Sequence, residues 1–484
     1  MHKRKNKRLR NLLGLMLIGA CLLVSVGGYN VYKPLPAGLS FAGLARKVSS
    51  IEFYKDLTWV DAEGNRQTKQ EIFDKILEMI HGARSFILLD MFLFNDFIGK
   101  EQTPYRRLAQ EVTDALVARK NKFPGLKIVV ITDPINTVYN GTENQFFERM
   151  SSENIEVVVT KLERLRDSNP AYSAFWRIFI QPFGNGFGSL LPNPFGRGRV
   201  SLRSYLAMFN FKANHRKLII CDGADGYSAL ITSANPHDGS AAHGNVAIYF
   251  NGPAVLDLLE TEKSVLDFSG GLTMPVLSSS LKLSGKNVPE ITVQILSESK
   301  IKDVMIAALK QAGAGDNLAM ITFYLSDRDI IEALKGASSR GAALRILLDP
   351  NKDAFGRKKN GIPNRQAAAE LVKFGIPVRW SNTHGEQAHT KLLLVQYKHG
   401  QSFFVLGSAN FTRRNLEDLN LETDIAVRGP EAKAIFADVK NYIDLLWHNP
   451  DGRQFSIDYI YYADNSLFRR LMYRWMEATG MSTF

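Results

Sequence analysis

The sequence predicts an α/β protein of two similar lobes, each a mainly parallel β-sheet flanked by helices, and three observations carry that expectation. The first is a repeat: Asn214–Asn235, NHRKLIICDGADGYSALITSAN, returns as Ala388–Asn410, AHTKLLLVQYKHGQSFFVLGSAN. In each copy a His and a Lys two residues apart (His215 with Lys217, His389 with Lys391) head an apolar run. A turn and a second apolar run follow, closed by Ser-Ala-Asn. The step from His to His is 174 residues and from Asn to Asn 175, so two duplicated lobes stay in register. The second observation is the alternation of strand-like runs with helix-period segments, which points to sheets covered on both faces. The third is that matching strands in the two halves end alike, at Asp133-Pro134 and Asp349-Pro350, where a turn is expected. A pseudo-twofold between the lobes would bring both His and both Lys to one cleft.

The elements follow in order. Glu71–Ile80 has helical spacing and precedes the strand-like Ser85–Phe92. A helix over Tyr105–Arg119 leads to the run Leu126–Pro134, and a helix over Gln145–Met150 precedes a strand at Ile155–Val159. The second half repeats this plan: helix Val304–Gln311, strand Leu318–Leu325, helix Asp329–Ser339, run Leu344–Pro350, helix Gln366–Phe374, strand Ile376–Trp380. The halves differ in one place. Ile155 lies 60 residues before His215, whereas Ile376 lies 13 before His389, so lobe 1 carries an insertion at about 160–205. It holds Phe175, Trp176, Phe179, Phe183, Phe187, Leu190, Leu191 and Phe195 among Gly, Pro and Arg. Two readings stand side by side: a lid or membrane-interface loop, or aromatics packed on their own lobe.

Composition is ordinary for a globular protein of two or three domains, with 45% hydrophobic and 22% charged residues over 484. The net charge of +12 favours an anionic partner, but Lys3, Arg4, Lys5, Lys7, Arg8 and Arg10 supply half of it, which weakens any inference toward DNA. After that basic tail, Leu12–Val26 carries no charge and, extended to Tyr32, approaches the roughly 20 residues that cross a bilayer. A cleaved export signal and a lipoprotein site at Cys21 are alternatives; we favour an uncleaved single-pass anchor. All three place the domain that follows outside the cytoplasm, with the basic tail inside. Cys21 and Cys221 are not expected to pair. The domain plan is therefore 1–33 tail and anchor, 34–268 lobe 1, 269–290 a Ser/Gly-rich linker, 291–450 lobe 2, and 451–484 a C-terminal extension. In the extension, Leu467, Phe468, Leu471, Met472 and Trp475 share one helical face, expected to dock on the domain rather than lie on a bilayer.

Strand alternation projects His215 and Lys217 on one face, and His389 and Lys391 likewise, while Leu218–Cys221 and Leu392–Val395 are apolar on both faces, as in a central strand. A single such cluster would carry little, because a lone His is more often structural; the duplication changes that. The pattern His-x-Lys-x4-Asp followed by Ser-x-Asn resembles the signature of the phospholipase D superfamily, and the layout is similar to bacterial cardiolipin synthases. His215–Asp222 matches in full, whereas the second copy has Gln396 in place of Asp. Ser233 with Asn235, and Ser408 with Asn410, fit the downstream element. The family's further Glu is matched by Glu422, and the corresponding stretch of lobe 1, Asn245-Val246-Ala247, has Ala there.

The resemblance implies a metal-free and cofactor-free phosphodiester exchange in two steps on a phospholipid substrate, with cardiolipin synthesis the specific expectation. One His attacks phosphorus and the other protonates the leaving alcohol, then activates the incoming water or alcohol. By family analogy His215 is the nucleophile and His389 the acid and base; residue types alone do not order them. Lys217 and Lys391, with Ser233, Ser408, Asn235 and Asn410, would hold the phosphate oxygens. Glu422 would orient an imidazole, and Asp222 is expected to be structural. Because both half-sites lie in one chain, a monomer at the membrane is expected, with no nucleic-acid partner favoured. Two rivals remain: a nuclease of the same superfamily, and a degenerate lipid-binding protein suggested by Gln396, Ala247 and Thr232. His384–His389 lacks a carboxylate or Cys set at metal-ligand spacing. The basic loop Asn351–Asn360 reads equally as a steering patch or a solvated loop.

Overall fold

In a computed structural model, residues 2–48, 50–99, 105–223, 226–272, 290–354 and 357–482 are described, with 2–6 and 353–354 in backbone only. Most of the expected linker (273–289) and Phe355-Gly356 of the basic loop lie outside the described residues. The chain opens with α1 (His2–Tyr32), among the described residues the one helix long and apolar enough to cross a membrane.

Lobe 1 is an eight-stranded sheet. Its strands are β1 (Ile51–Val60), β2 (Arg66–Lys69), β3 (Phe86–Met91), β4 (Lys127–Thr132), β5 (Glu156–Val159), β6 (Lys217–Gly223), β7 (Gly226–Thr232) and β8 (Asn245–Asn251), in the spatial order β2-β1-β8-β7-β6-β3-β4-β5. Helices α2 (Ile72–Gly82), α3 (Leu108–Lys122) and α4 (Gln145–Ser152) connect strands, and α2 buries Ile72, Phe73, Ile76, Met79 and Ile80 at helical spacing. The insertion contributes α5 (Pro170–Phe179) and α6 (Leu202–Met208), and α7 (Ala254–Ser269) follows β8.

Lobe 2 repeats the plan with β9 (Thr292–Ser297), β10 (Asn317–Thr322), β11 (Ala343–Leu348), β12 (Val378–Ser381), β13 (Lys391–Gln396), β14 (Gln401–Gly407), β15 (Thr423–Pro430) and β16 (Ser456–Asp458). Helices α8 (Ser299–Gln311), α9 (Arg328–Ser339) and α10 (Asn364–Lys373) are the crossovers; α11 (Ala434–His448) and α12 (Leu467–Thr479) close the chain. The order is β9-β15-β14-β13-β10-β11-β12-β16, extended beyond β9 by the two-residue strand Arg46–Lys47. Seven strands thus occur in both sheets in the same sequence of neighbours and with the same polarities: β1-β8-β7-β6-β3-β4-β5 and β9-β15-β14-β13-β10-β11-β12.

The α/β class holds, but "mainly parallel" is corrected to mixed. Only β3–β4–β5 and β10–β11–β12 pair in parallel, and the other pairs are antiparallel. The cause is connection length. Strands joined through a helix can return parallel, whereas connections as short as those between β6 and β7 and between β13 and β14 force reversal. Alternation then divides each central strand: Leu218 and Ile220 join Leu392 and Leu394 in one core shared by both sheets, while Ile219 and Cys221 pack in the core of lobe 1 and Leu393 and Val395 in that of lobe 2.

Two expectations about apolar surface resolve here. In the insertion, Phe175, Phe179, Phe183, Phe187 and Leu190 are exposed and not packed on their own lobe, whereas Trp176, Leu191 and Phe195 are half-buried. In α12, docking runs through Tyr473 (hydroxyl to the Ser326 carbonyl, 3.0 Å) and Met472 and Met476, which pack with Phe323, Tyr324 and Ile362. The face expected to dock is corrected: Leu467, Phe468, Leu471 and Trp475 point outward. The polar contacts of Tyr473 and the Arg474–Glu370 ion pair decide the helix's rotation, and apolar spacing alone does not encode them.

Candidate active site

Each half-site begins where a chain segment leaves its own sheet and pairs with the other lobe. Ahead of β6, the His215 N–H donates to the Leu421 carbonyl (2.9 Å) and the Leu421 N–H returns to Ala213 (3.0 Å). Ahead of β13, Ala388 bridges Gly244, whose N–H donates to the Gln387 carbonyl (3.0 Å). The Asp-Pro corners hold these segments. Asp133 accepts from Ile135 N (2.7 Å) within its turn and from Asn214 N (2.7 Å) beside His215. Asp349 accepts from Asn351 N (2.7 Å) and from Ala388 N (2.9 Å) beside His389. The turn role was legible in sequence; the second bond was not.

His215, Lys217, His389, Lys391, Ser233, Asn235, Ser408, Asn410 and Glu422 are all buried, and hydrogen bonds and charge interactions draw His215, Lys217, His389, Lys391, Ser233, Ser408 and Glu422 together. The His215 Nδ1–H donates to both Glu422 carboxylate oxygens (2.9 and 3.0 Å). His389 Nδ1 meets the Ser233 carbonyl (2.9 Å) and Asn245 Oδ1 (3.2 Å). Each ring is therefore held through Nδ1 by the opposite lobe, which leaves Nε2 for chemistry. Lys217 and Lys391 donate to the carbonyls of His215 (2.6 Å) and His389 (2.7 Å).

Several functional contacts escaped the sequence reading. Asn245, not Ala247, occupies the position equivalent to Glu422: Ser233 Oγ bonds Asn245 Oδ1 (3.0 Å) as Ser408 Oγ bonds Glu422. The strand register, with Thr232 opposite Ala247 and Gly407 opposite Asp424, fixes this correspondence. Phe92 and Phe323 end equivalent strands. Phe92 lies edge-on to His215 (centroids 4.7 Å) with the Lys217 ammonium 5.1 Å from its ring. Phe323 repeats this with His389 (5.2 Å) and Lys391 (5.7 Å). Their shared place one residue past a matched strand was the available signal. Asn235 Oδ1 accepts from Leu93 N (3.1 Å), and Asn410 Oδ1 is buried with no hydrogen-bond partner. Asp222 lies apart from this cluster, accepting the N–H groups of Arg84, Ser85 and Phe86 (2.8 Å for the last). Its counterpart Gln396 donates to Glu431 (2.6 Å).

Burial, then the ammoniums of Lys217 and Lys391, drives the His215 pKa well below the usual imidazole range. Burial, followed by Lys391, His243, Lys217 and His215, does the same to His389. Burial pushes the Glu422 carboxyl up to about 7 and Asp424 up to about 8. It brings Lys217 down to about 7 and Lys391 well below its ordinary value. These shifts favour two neutral imidazoles, and a phosphodiester anion among them would restore protons to the ammoniums and to one ring. Among the described residues, no group of three or more His, Cys, Asp or Glu is placed to hold a metal ion.

Residues 305–447 match the model of the family described as cardiolipin synthase, phospholipase D-like domain. Among solved structures, phosphatidylserine synthase from Haemophilus influenzae Rd KW20 is similar at 13% identity and TM-score 0.52, over 95% of this chain and 98% of that one; the likeness establishes the shared fold. Polyphosphate kinase from Porphyromonas gingivalis (12% identity, TM-score 0.44) overlaps 85% of this chain and 52% of its own. The phospholipase D family member Nuc from Salmonella typhimurium (20% identity, TM-score 0.26) overlaps 32% of this chain and 93% of its own. No curated protein matches by sequence.

Proposed function

We propose that this protein, whose residues 305–447 match a phospholipase D-like domain and whose fold is shared with a phosphatidylserine synthase, is a membrane-anchored phosphodiesterase or phosphatidyltransferase acting on phospholipids through a phosphohistidine, with cardiolipin synthesis as its specific reaction. The observation that carries it is the pair of imidazoles, each fixed through Nδ1 by the opposite lobe within one buried site. His215 Nε2 attacks phosphorus and the P–O bond to the leaving alcohol breaks. His389, protonated in the substrate complex, gives its proton to that alcohol. In the second step His389 takes the proton from an incoming alcohol or water, whose oxygen displaces His215. Lys217 and Lys391 balance the charge on the phosphoryl oxygens, a contribution of about 10²–10³ per well-placed donor. Glu422 stabilises the positive charge that His215 acquires in the covalent intermediate. The apolar part of α1 anchors the chain, and the basic residues in its first turns keep that end on the cytoplasmic side.

The test is incubation of purified protein with phosphatidylglycerol vesicles. Wild type is expected to form cardiolipin and glycerol and, with phosphorus-labelled lipid, to carry base-stable, acid-labile label; His215→Asn is expected to do neither. Formation of product by His215→Asn at the wild-type rate would end this reading.

A further inference from the structure

The large hydrophobic side chains left exposed among the described residues are not scattered. All but Leu44, Phe209, Leu272 and Phe374 belong to α1, to the insertion or to the segment 460–481. Contacts join these three regions. α5 lies against α1: the Asp167 N–H donates to the Asn30 carbonyl (3.0 Å), and a Cβ on Gly27 would meet Ala174 Cβ and the Pro170 carbonyl at 3.5 Å. Moving from Asn30 back to Gly27 thus advances the other chain from 167 to 174, so α5 runs antiparallel to α1. Leu23 and Val26 are half-buried on that side, whereas Leu22 and Val24 are exposed. Over about 15 Å of length, α5 therefore lies beside the second half of the uncharged run Leu12–Val26. The end of α12 closes on the start of α5. A Cβ on Gly480 would collide with the Ser168 carbonyl, and Arg414 fixes the turn through the carbonyls of Gly480 (3.0 Å) and Ser482 (2.7 Å).

We propose that the exposed faces of α5 with its following turn and of α12 form one platform that sits in the outer leaflet of an anionic bilayer, continuous with the lipid-facing surface of α1. The proposal rests on the reading of α1 as a bilayer-crossing helix. If Leu12–Val26 crosses the apolar layer, the antiparallel packing carries α5 into its outer half, with Phe175, Phe179 and Phe183 (69% exposed) facing acyl chains. On α12, Phe468 (74%) and Leu471 (62%) supply the matching apolar face. A cation borders it: Arg203, exposed and bonded to the Phe183 carbonyl (3.0 Å), makes no ion pair among the described residues, which favours anionic headgroups. The platform is also coupled to the site. The inner face of α12 packs on Phe323, and Phe323 touches the His389 ring. Seating it would bring the cleft to the headgroup layer, where a lipid phosphodiester need leave the membrane only partly.

The test uses the full chain with Cys21→Ser, reconstituted in vesicles of phosphatidylglycerol and phosphatidylcholine. Single nitroxides are placed at Phe179→Cys, Leu471→Cys, Leu17→Cys and, on the solvent face of α2, Glu78→Cys. Collision with oxygen relative to a water-soluble nickel chelate is expected to be several-fold higher at 179, 471 and 17 than at 78. Bilayer burial at 17 with nickel access at 179 and 471 equal to that at 78 would overturn the platform alone. Nickel access at 17 as well would overturn both the platform and the anchor reading beneath it. Spin accessibility does not depend on turnover, so neither result bears on the catalytic reading.

Discussion

The two half-sites share strand order, His and Lys spacing, an aromatic ring against each imidazole and an Asp-Pro corner, yet they differ in what faces each histidine. His215 meets a carboxylate from Glu422; His389 meets a carbonyl and the amide of Asn245. Their foundations differ too. Beneath His215, the fully buried Arg216 bonds Glu262 and Glu298 (2.7 Å each), and Glu298 also accepts the Glu422 N–H (3.1 Å). Burial opposes the charge of Arg216, but the two carboxylates hold its pKa above the ordinary value. Beneath His389 the equivalent place holds Thr390, bonded to the Tyr442 hydroxyl (2.8 Å). The two sheets share one order of strands, and among the described residues the buried ionic support lies beneath His215. On the proposed reading the nucleophile's ring stays cationic for as long as the covalent intermediate lasts, and the Glu422 carboxylate beside His215 would stabilise that charge.

The largest expected effect tests that division. His215→Ala should lose about 10⁴-fold or more in kcat on any phosphodiester. His389→Ala should lose about 10²–10⁴-fold on phosphatidylglycerol, but recover most of it on a p-nitrophenyl phosphodiester, whose leaving group needs no acid. Equal losses on the activated substrate would dissolve the comparison. Next is stability. Arg216→Met leaves Glu262 and Glu298 buried without their partner and should cost about 3–5 kcal/mol, against about 1 kcal/mol for Thr390→Val. Urea midpoints of the detergent-solubilised protein check this, and similar shifts for the two variants would contradict it.

Smaller effects sharpen the contrast. Glu422→Gln removes a charge-assisted bond of about 1.5–3 kcal/mol, hence about tenfold to a hundredfold in kcat. Asn245→Asp should instead raise the pKa of His389 and move its limb of the pH–rate profile to higher pH, and an unmoved profile would count against that role. The mildest is pH dependence itself. With Lys217 at about 7 in the free protein, its charged form is lost as pH rises, so kcat/KM should fall above about pH 7. Lys217→Met should be slow throughout and lack that limb.

Consecutive residues were enough to determine the repeat, the helix and strand periods and the two His-x-Lys pairs, because strand alternation and helical spacing are set by the local chain. They also marked Leu12–Val26 as apolar and uncharged. They did not determine partners. Glu422 lies 207 positions from His215 and Asn245 lies 144 from His389, and only the β7–β8 register shows that Asn245, rather than Ala247, takes the orienting place. The outward rotation of Phe468 and Leu471 was decided in the same way, by packing between segments distant in sequence. Local preference fixes which elements form, but burial and hydrogen bonding between them fix which face turns inward.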